Sequence, residues 1–363
     1  MNILLEGIFY NGHGLAEGNR NLLRILDQAG YRVRIKVRDP SDKYKVLHPK
    51  EIDYISSFES NSLPTNDVYL YNWIGSFARI NPDFRINIAR TTFETDRIPD
   101  SWVQELNKFD EVWVQSRFNE MTFTSSGVKV PLHLIPNFFD YRGFSPEGPA
   151  LSLPITESFK FLSVFDLKKR KGYDLLLQAF LNEFSQEDQT ALVIKLRDSR
   201  QTDIIEQFIH SHPKAKRKRP GIYIIDHMLV PSDIASLYRA CDAFVLPTRG
   251  EGWGRPFFEA MLMELPVIGT NWSGHTDFMN ERNAYLVDIQ GLVKISGNDN
   301  PICNGHYWAE PSIEDLQRKM RLVFDNRAEA KEKAKAAKQE ISQMYNRRET
   351  AKKVIYEIEK YRR

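Results

Sequence analysis

Two carboxylates eight positions apart, Glu251 and Glu259, are the residues of this sequence best placed to do chemistry. Glu251 stands among Gly250, Gly252 and Gly254, and Glu259 lies inside the apolar run Phe257, Phe258, Ala260, Met261, Leu262 and Met263. An unpaired carboxylate in such surroundings costs on the order of several kcal/mol, so Glu259 requires a partner. The hydroxyls of a bound sugar or ribose would serve, because an ionised carboxylate accepts two of them at once. Gly252 and Gly254 let backbone N–H groups come close to a ligand, and a helix N-terminus turns its positive dipole end toward a phosphate. The plainer reading is that Glu259 only neutralises the dipole of an early helical turn and that the glycines only make a tight turn.

The elements around these acids form a βαβ unit. Ala243 to Leu246 has the length of a buried strand, Pro247 to Arg255 is a loop, and Pro256 suits a first helical position, where its missing N–H goes unused. The helix is predicted to reach about Glu264, and Pro266-Val-Ile-Gly begins the next strand. In such folds ligands bind beyond the carboxyl ends of the strands. A second loop has the same setting. Phe159 to Phe165 reads as a strand, and Tyr173 to Phe184 as a helix. Between them Lys168, Lys169, Arg170 and Lys171 precede Gly172. Cations there outline a phosphate site, supplying charge where a diphosphate leaving group gains it, and a solvated basic loop is the alternative. Near the N-terminus, strand Asn2 to Leu5 leads through Gly12, His13 and Gly14 to an amphipathic helix from Leu15 to Ala29, stopped by Gly30. His13 could reach a site there, or be solvated.

The stretch Pro-Thr-Arg-Gly-Glu-Gly-Trp-Gly-Arg-Pro-Phe-Phe-Glu-Ala-Met, with seven residues between Glu251 and Glu259, resembles the E-x7-E signature of the family 4 retaining glycosyltransferases of GT-B fold. Lys171-Gly172 and Leu134-Ile-Pro-Asn137 resemble further motifs of that family. So do Phe93-Glu94-Thr95 to Trp102 and Phe109 to Asn119, and the resemblance runs from about Phe93 to the last residue. It implies two Rossmann-like α/β domains facing a central cleft, with a C-terminal helix crossing back to the N-domain. It also implies transfer of a hexosyl unit from a nucleotide-diphosphate sugar to an acceptor hydroxyl with retention of configuration. Glu251, Gly252, Trp253 and Gly254 would then hold the sugar, Glu259 the ribose, Lys171 and Arg170 the diphosphate, and backbone near Met228 and Leu229 the base. Gly12 and Gly14 would approach the donor. Glu94 and Asp96 are candidates to orient or deprotonate the acceptor hydroxyl, with His13 on the acceptor side. The sequence departs from the family where Glu264-Leu265 replace a small residue and glycine, and where Ser163-Val164 stand at an arginine position. The first departure touches helix packing; the second leaves the arginine's contact absent or supplied by Lys169 or Arg170.

With 363 residues, two domains are expected, 1–145 with about 345–363 and 155–340, joined by a Pro-, Gly- and Ser-rich connection at 141–158. Apolar content of 42% and charged content of 27% indicate a globular chain, and a net charge of +2 gives no global reason to expect nucleic acid. The run Lys214 to Arg219 could meet anionic lipid or nucleic acid, or be a solvated loop. Cys241 and Cys303 are too few for a disulfide scaffold and lack metal-ligand spacing. No Asp-x-Asp metal site, cofactor or bilayer-length apolar run is read. A cytoplasmic protein is expected, with a peripheral contact at the inner membrane face left open, acting in polysaccharide or glycoconjugate assembly on a carbohydrate or glycolipid acceptor. An epimerase of the same architecture, a non-catalytic sugar-nucleotide binder and a nucleic-acid protein are the alternatives.

Overall fold

The computed structural model describes residues 1–138, 143–197, 199–216 and 219–362. Tyr141 and Arg142 of the expected connection, and Arg217 and Lys218 of the basic run, lie outside the described residues. The chain divides into two compact units, residues 1–140 with 344–363, and residues 141–343.

The first unit runs β1 (Asn2–Gly7), α1 (Gly14–Gln28), β2 (Arg32–Val37), α2 (Pro49–Ser56), β3 (Val68–Asn72), β4 (Ile86–Arg90), α3 (Asp100–Leu106), β5 (Glu111–Val114), α4 (Arg117–Ser126) and β6 (Leu132–Leu134). Its strands form one parallel sheet in the order β2-β1-β3-β4-β5-β6. Strands covered on both faces become continuous apolar runs, and β1 and β3 are buried almost throughout. The winding direction reverses between β1 and β3, so the loops leaving these two strands flank a topological switch point.

The second unit runs β7 (Phe159–Val164), α5 (Tyr173–Glu183), β8 (Thr190–Lys195), α6 (Thr202–Ser211), β9 (Gly221–Ile225), α7 (Pro231–Arg239), β10 (Ala243–Leu246), α8 (Arg255–Leu262), β11 (Val267–Thr270), β12 (Tyr285–Val287), β13 (Ile289–Lys294), β14 (Tyr307–Pro311), α9 (Ile313–Asp325) and α10 (Arg327–Met344). Its parallel sheet has the order β12-β11-β10-β7-β8-β9, and β13 pairs antiparallel with β14 beside it. Here the reversal falls between β7 and β10. Two six-stranded parallel sheets interleaved with helices are the two Rossmann-like domains that the sequence leads one to expect.

The last helix, α11 (Arg347–Glu359), returns to the first unit. Its Val354 and Ile358 join the core made by Ile3, Leu5, Leu22, Leu26, Val33 and Leu70. The charged helix α10 persists because Ala330, Ala334, Ala337 and Ile341, spaced three and four apart, are buried along one face. Helix α8 stops at Leu262, before the predicted Glu264. Glu264 takes φ +54°, the left-handed position that glycine usually fills after a helix, and its carboxylate is held by Lys338 at 2.9 Å.

Candidate active site

In the second unit the switch point brings the loop after β7 against the loop after β10. Gly172 makes this possible: its φ is +69°, and a Cβ there would stand 1.9 Å from the carbonyl oxygen of Pro247. The two loops are joined by Arg249, whose backbone N–H donates to the carbonyl of Arg170 at 2.6 Å. The Arg249 guanidinium, only 2% exposed, donates to the carbonyl of Lys169, to both oxygens of Asp174 (2.8 and 2.9 Å) and to both oxygens of Glu310 (2.9 and 2.7 Å). One side chain thereby ties the basic loop, the first turn of α5 and β14 together. Two bidentate carboxylate pairs suit the planar guanidinium fork. Sequence reasoning passed over Arg249, although a cation next to the acid motif was the available signal.

This clamp sets Lys171 beside Glu251. The Lys171 ammonium donates to Glu251 Oε1 at 2.5 Å, Arg170 Nη1 stands 3.5 Å from the same oxygen, and the Thr248 hydroxyl lies 3.1 Å away. Arg170 also donates to the carbonyl of Gly250. Burial alone would raise the Glu251 carboxyl, but the charges of Lys171 and Arg170 outweigh it and hold the pKa at about 2. The backbone of Glu251 is fixed too: its N–H donates to Ser273 Oγ and its carbonyl accepts from the N–H of Gly274, both at 2.9 Å. His275, fully buried, stacks on Phe257 with ring centroids 4.5 Å apart and places Nε2 2.7 Å from the carbonyl of Thr270. Burial depresses its pKa to about 4, so the imidazole is neutral and Nε2 carries the proton given to Thr270.

Glu259 lies in the second turn of α8 and is 4% exposed. The partner that this carboxylate requires comes, among the described residues, from the protein itself. Arg255 Nε donates to Oε1 at 2.5 Å and the Tyr238 hydroxyl donates to Oε2 at 3.0 Å. Trp253 would meet a sugar through its backbone and not through its side chain. Its ring is core, 4% exposed and packed on Phe278 and Phe258 at centroid distances of 5.1 and 6.2 Å, so it offers no open face to a sugar. Met228 is half exposed and Leu229 partly buried. Behind that loop the buried Lys195, at the end of β8, donates to the carbonyl of His227 at 2.8 Å.

The other sequence candidates belong to the first unit. Gly12 and His13 are exposed, and His13 Nδ1 caps α1 by accepting from the N–H of Leu15 at 3.3 Å; Gly14 is the first residue of that helix. The loop is fixed by Asp39, which sequence reasoning did not single out. Its carboxylate accepts from the N–H groups of Phe9, Tyr10 and Asn11 at 2.7 to 2.9 Å. Asp96 is paired with Arg97 at 2.9 Å, and Glu94 is half-buried two residues away. Arg90, at the end of β4, is a buried cation whose guanidinium meets amide and backbone oxygens of Asn137, Asn72 and Ile135. Burial lowers its pKa to about 10. Among the described residues, Glu111, His133 and Glu357 form a group that could hold a metal ion. In this structure its carboxylates instead receive Trp113, Tyr361 and Lys360.

Residues 158–294, which carry Lys171, Glu251 and Glu259, match the model of the family described as Glycosyl transferases group 1. The match lies within the second unit and covers under half of the 363 residues. Over 155 residues the chain is 29% identical to the mannosylfructose-phosphate synthase of Agrobacterium fabrum, covering 39% of this chain and 33% of that protein. Over 130 residues it is 28% identical to the capsular polysaccharide biosynthesis glycosyltransferase CapM of Staphylococcus aureus, covering 36% of this chain and 31% of CapM. The aligned region therefore spans about a third of the length of either relative. Anabaena Alr3699/HepE, solved in complex with UDP and glucose, has the same fold. The TM-score is 0.68 at 14% identity, over 99% of this chain and 100% of that one.

Proposed function

We propose that this protein transfers a hexosyl unit from a nucleoside-diphosphate sugar to an acceptor hydroxyl, with retention of anomeric configuration and without a metal ion. The observation that carries the reading is the contact of Lys171 and Arg170 with Glu251 at the switch point of the second unit. Departure of a nucleoside diphosphate leaves negative charge on its phosphates and positive charge on the sugar. Fixed cations and N–H groups lower that barrier. Lys171 and Arg170, now held by Glu251, are the groups that take the phosphate charge, and Glu251, released from them, accepts from sugar hydroxyls. Glu259 accepts from the ribose while Arg255 and Tyr238 keep it oriented. The loop at Met228 and Leu229 receives the base. Glu94 and Asp96 of the first unit orient the acceptor hydroxyl.

The names of the relatives support a carbohydrate product, and CapM suggests assembly of a surface polysaccharide. The test is binding of UDP, GDP and ADP to wild type and Lys171→Met by calorimetry. Loss of a charge-assisted hydrogen bond is worth about 1.5–3 kcal/mol, so the preferred nucleotide should bind roughly tenfold to hundredfold more weakly. Equal binding by the variant rules out the assignment. Product NMR reports the anomeric outcome, and turnover that persists in EDTA supports metal independence.

A further inference from the structure

The first unit has a switch point of its own, between β1 and β3, and the loop leaving β3 there carries a flat aromatic stack. Trp73 and Phe77 lie parallel, with centroids 4.8 Å apart and planes 13° from each other. Phe77 is 52% exposed, and Trp73 is its ring partner. Arg38, from the end of β2, stands 5.9 Å from the Trp73 ring, and the indole N–H makes no hydrogen bond to the described residues. Phe77 is half exposed and Trp73 partly buried, so the stack presents one aromatic ring to solvent and backs it with another.

The loop is held rigidly in this pose. Gly75 lies so close to Trp102 that a Cβ would come within 2.2 Å of its ring. Trp102 Nε1 donates to Ser76 Oγ at 2.9 Å, and the Tyr71 hydroxyl donates to the carbonyl of Ile74 at 2.7 Å. The same Trp102 packs edge-on against Phe93 at 4.7 Å, next to Glu94. The aromatic stack is therefore continuous, through one buried tryptophan, with the loop that carries Glu94 and Asp96.

We propose that Trp73 and Phe77 form a stacking platform for a pyranose ring of the acceptor. A pyranose has one face of C–H groups and a rim of hydroxyls. The face suits the open side of Phe77, while the Trp73 N–H supplies a donor at the rim. Ile74 and Ile80, 36% and 38% exposed, flank the stack, and vesicle binding is therefore a competing outcome of the test below. A flat stack next to candidate acids fits a sugar ring better. That the sugar is an acceptor rests on the transferase reading; that it stacks here does not.

The experiment is saturation-transfer NMR on the full chain with methyl α-D-mannopyranoside, methyl α-D-glucopyranoside and methyl β-N-acetylglucosaminide. Wild type, Phe77→Ala and Phe77→Leu are compared, and nucleoside diphosphate binding is measured in parallel. At least one pyranoside is expected to bind wild type, roughly fivefold more weakly to both variants, with nucleotide binding unchanged within about twofold. Phe77→Leu keeps apolar bulk but has no ring face, so its loss identifies stacking. Three results overturn the platform: binding of none of the three sugars, equal binding by Phe77→Ala, or Phe77→Ala releasing the protein from phosphatidylglycerol vesicles while leaving sugar binding intact. Nucleotide binding that resists Lys171→Met tells against the transferase reading and leaves the platform standing.

Discussion

His275 makes a measurable demand on pH. Its imidazole is buried, stacked on Phe257 and hydrogen-bonded through Nε2 to Thr270, and burial lowers its pKa from 6.5 to about 4. A group depressed in the folded state contributes stability that is present above pH 6.5 and fades as pH falls toward 4, because the unfolded chain takes up the proton first. The whole shift corresponds to about 3 kcal/mol, of which about 2 kcal/mol is gone by pH 5. The perturbation is His275→Gln, which removes the titration while an amide N–H can still reach Thr270. Urea unfolding at pH 8, 7, 6 and 5 should show wild type losing about 2 kcal/mol more than the variant across that range. The other seven of the eight histidines are common to both proteins and cancel in the difference. Parallel stability curves, or a His275 resonance titrating near pH 6.5, would refute the reasoning.

The clamp and the loop junction give further tests. Arg249→Met leaves Asp174 and Glu310 without their shared cation and should destabilise the protein by about 3–5 kcal/mol in urea unfolding, whereas an exposed ion pair lost alone costs under about 1 kcal/mol. Gly172→Ala forces a Cβ onto the Pro247 carbonyl at a positive φ, and should lower stability by more than about 2 kcal/mol with nucleotide binding weakened alongside. Lys171→Met removes the nearest charge from Glu251. Its carboxyl should then titrate well above pH 2 in carboxylate NMR, and acid unfolding should begin at higher pH than in wild type.

Much of the second unit could be read from its residues. Short apolar runs bounded by glycine and proline gave the strands, and their alternation with helices gave the parallel sheet. The glycines and acids of 250–259 and the cations of 168–171 each pointed to a strand's carboxyl end, where Lys171 and Glu251 do meet. What stayed hidden depended on contacts distant in sequence. Tyr238, on α7, donates to Glu259 on α8 beside the local Arg255, and no local pattern pairs the tyrosine with the acid. Arg249 finds Glu310 on β14, a strand whose partner β13 is mostly exposed along its length and lacks a clear apolar alternation. The burial of Trp253 follows from Phe278, twenty-five positions on, which no periodicity announces.

The return of α11 to the first unit has a consequence for how the polypeptide is made. Residues 141–343 are synthesised before Val354 and Ile358, so the first unit must wait, with an apolar gap in its core, until the turns of α11 emerge. The intervening unit holds all its own strands and can mature in that interval. Birth order and completion order are therefore inverted: of the two units, the one that starts first finishes last.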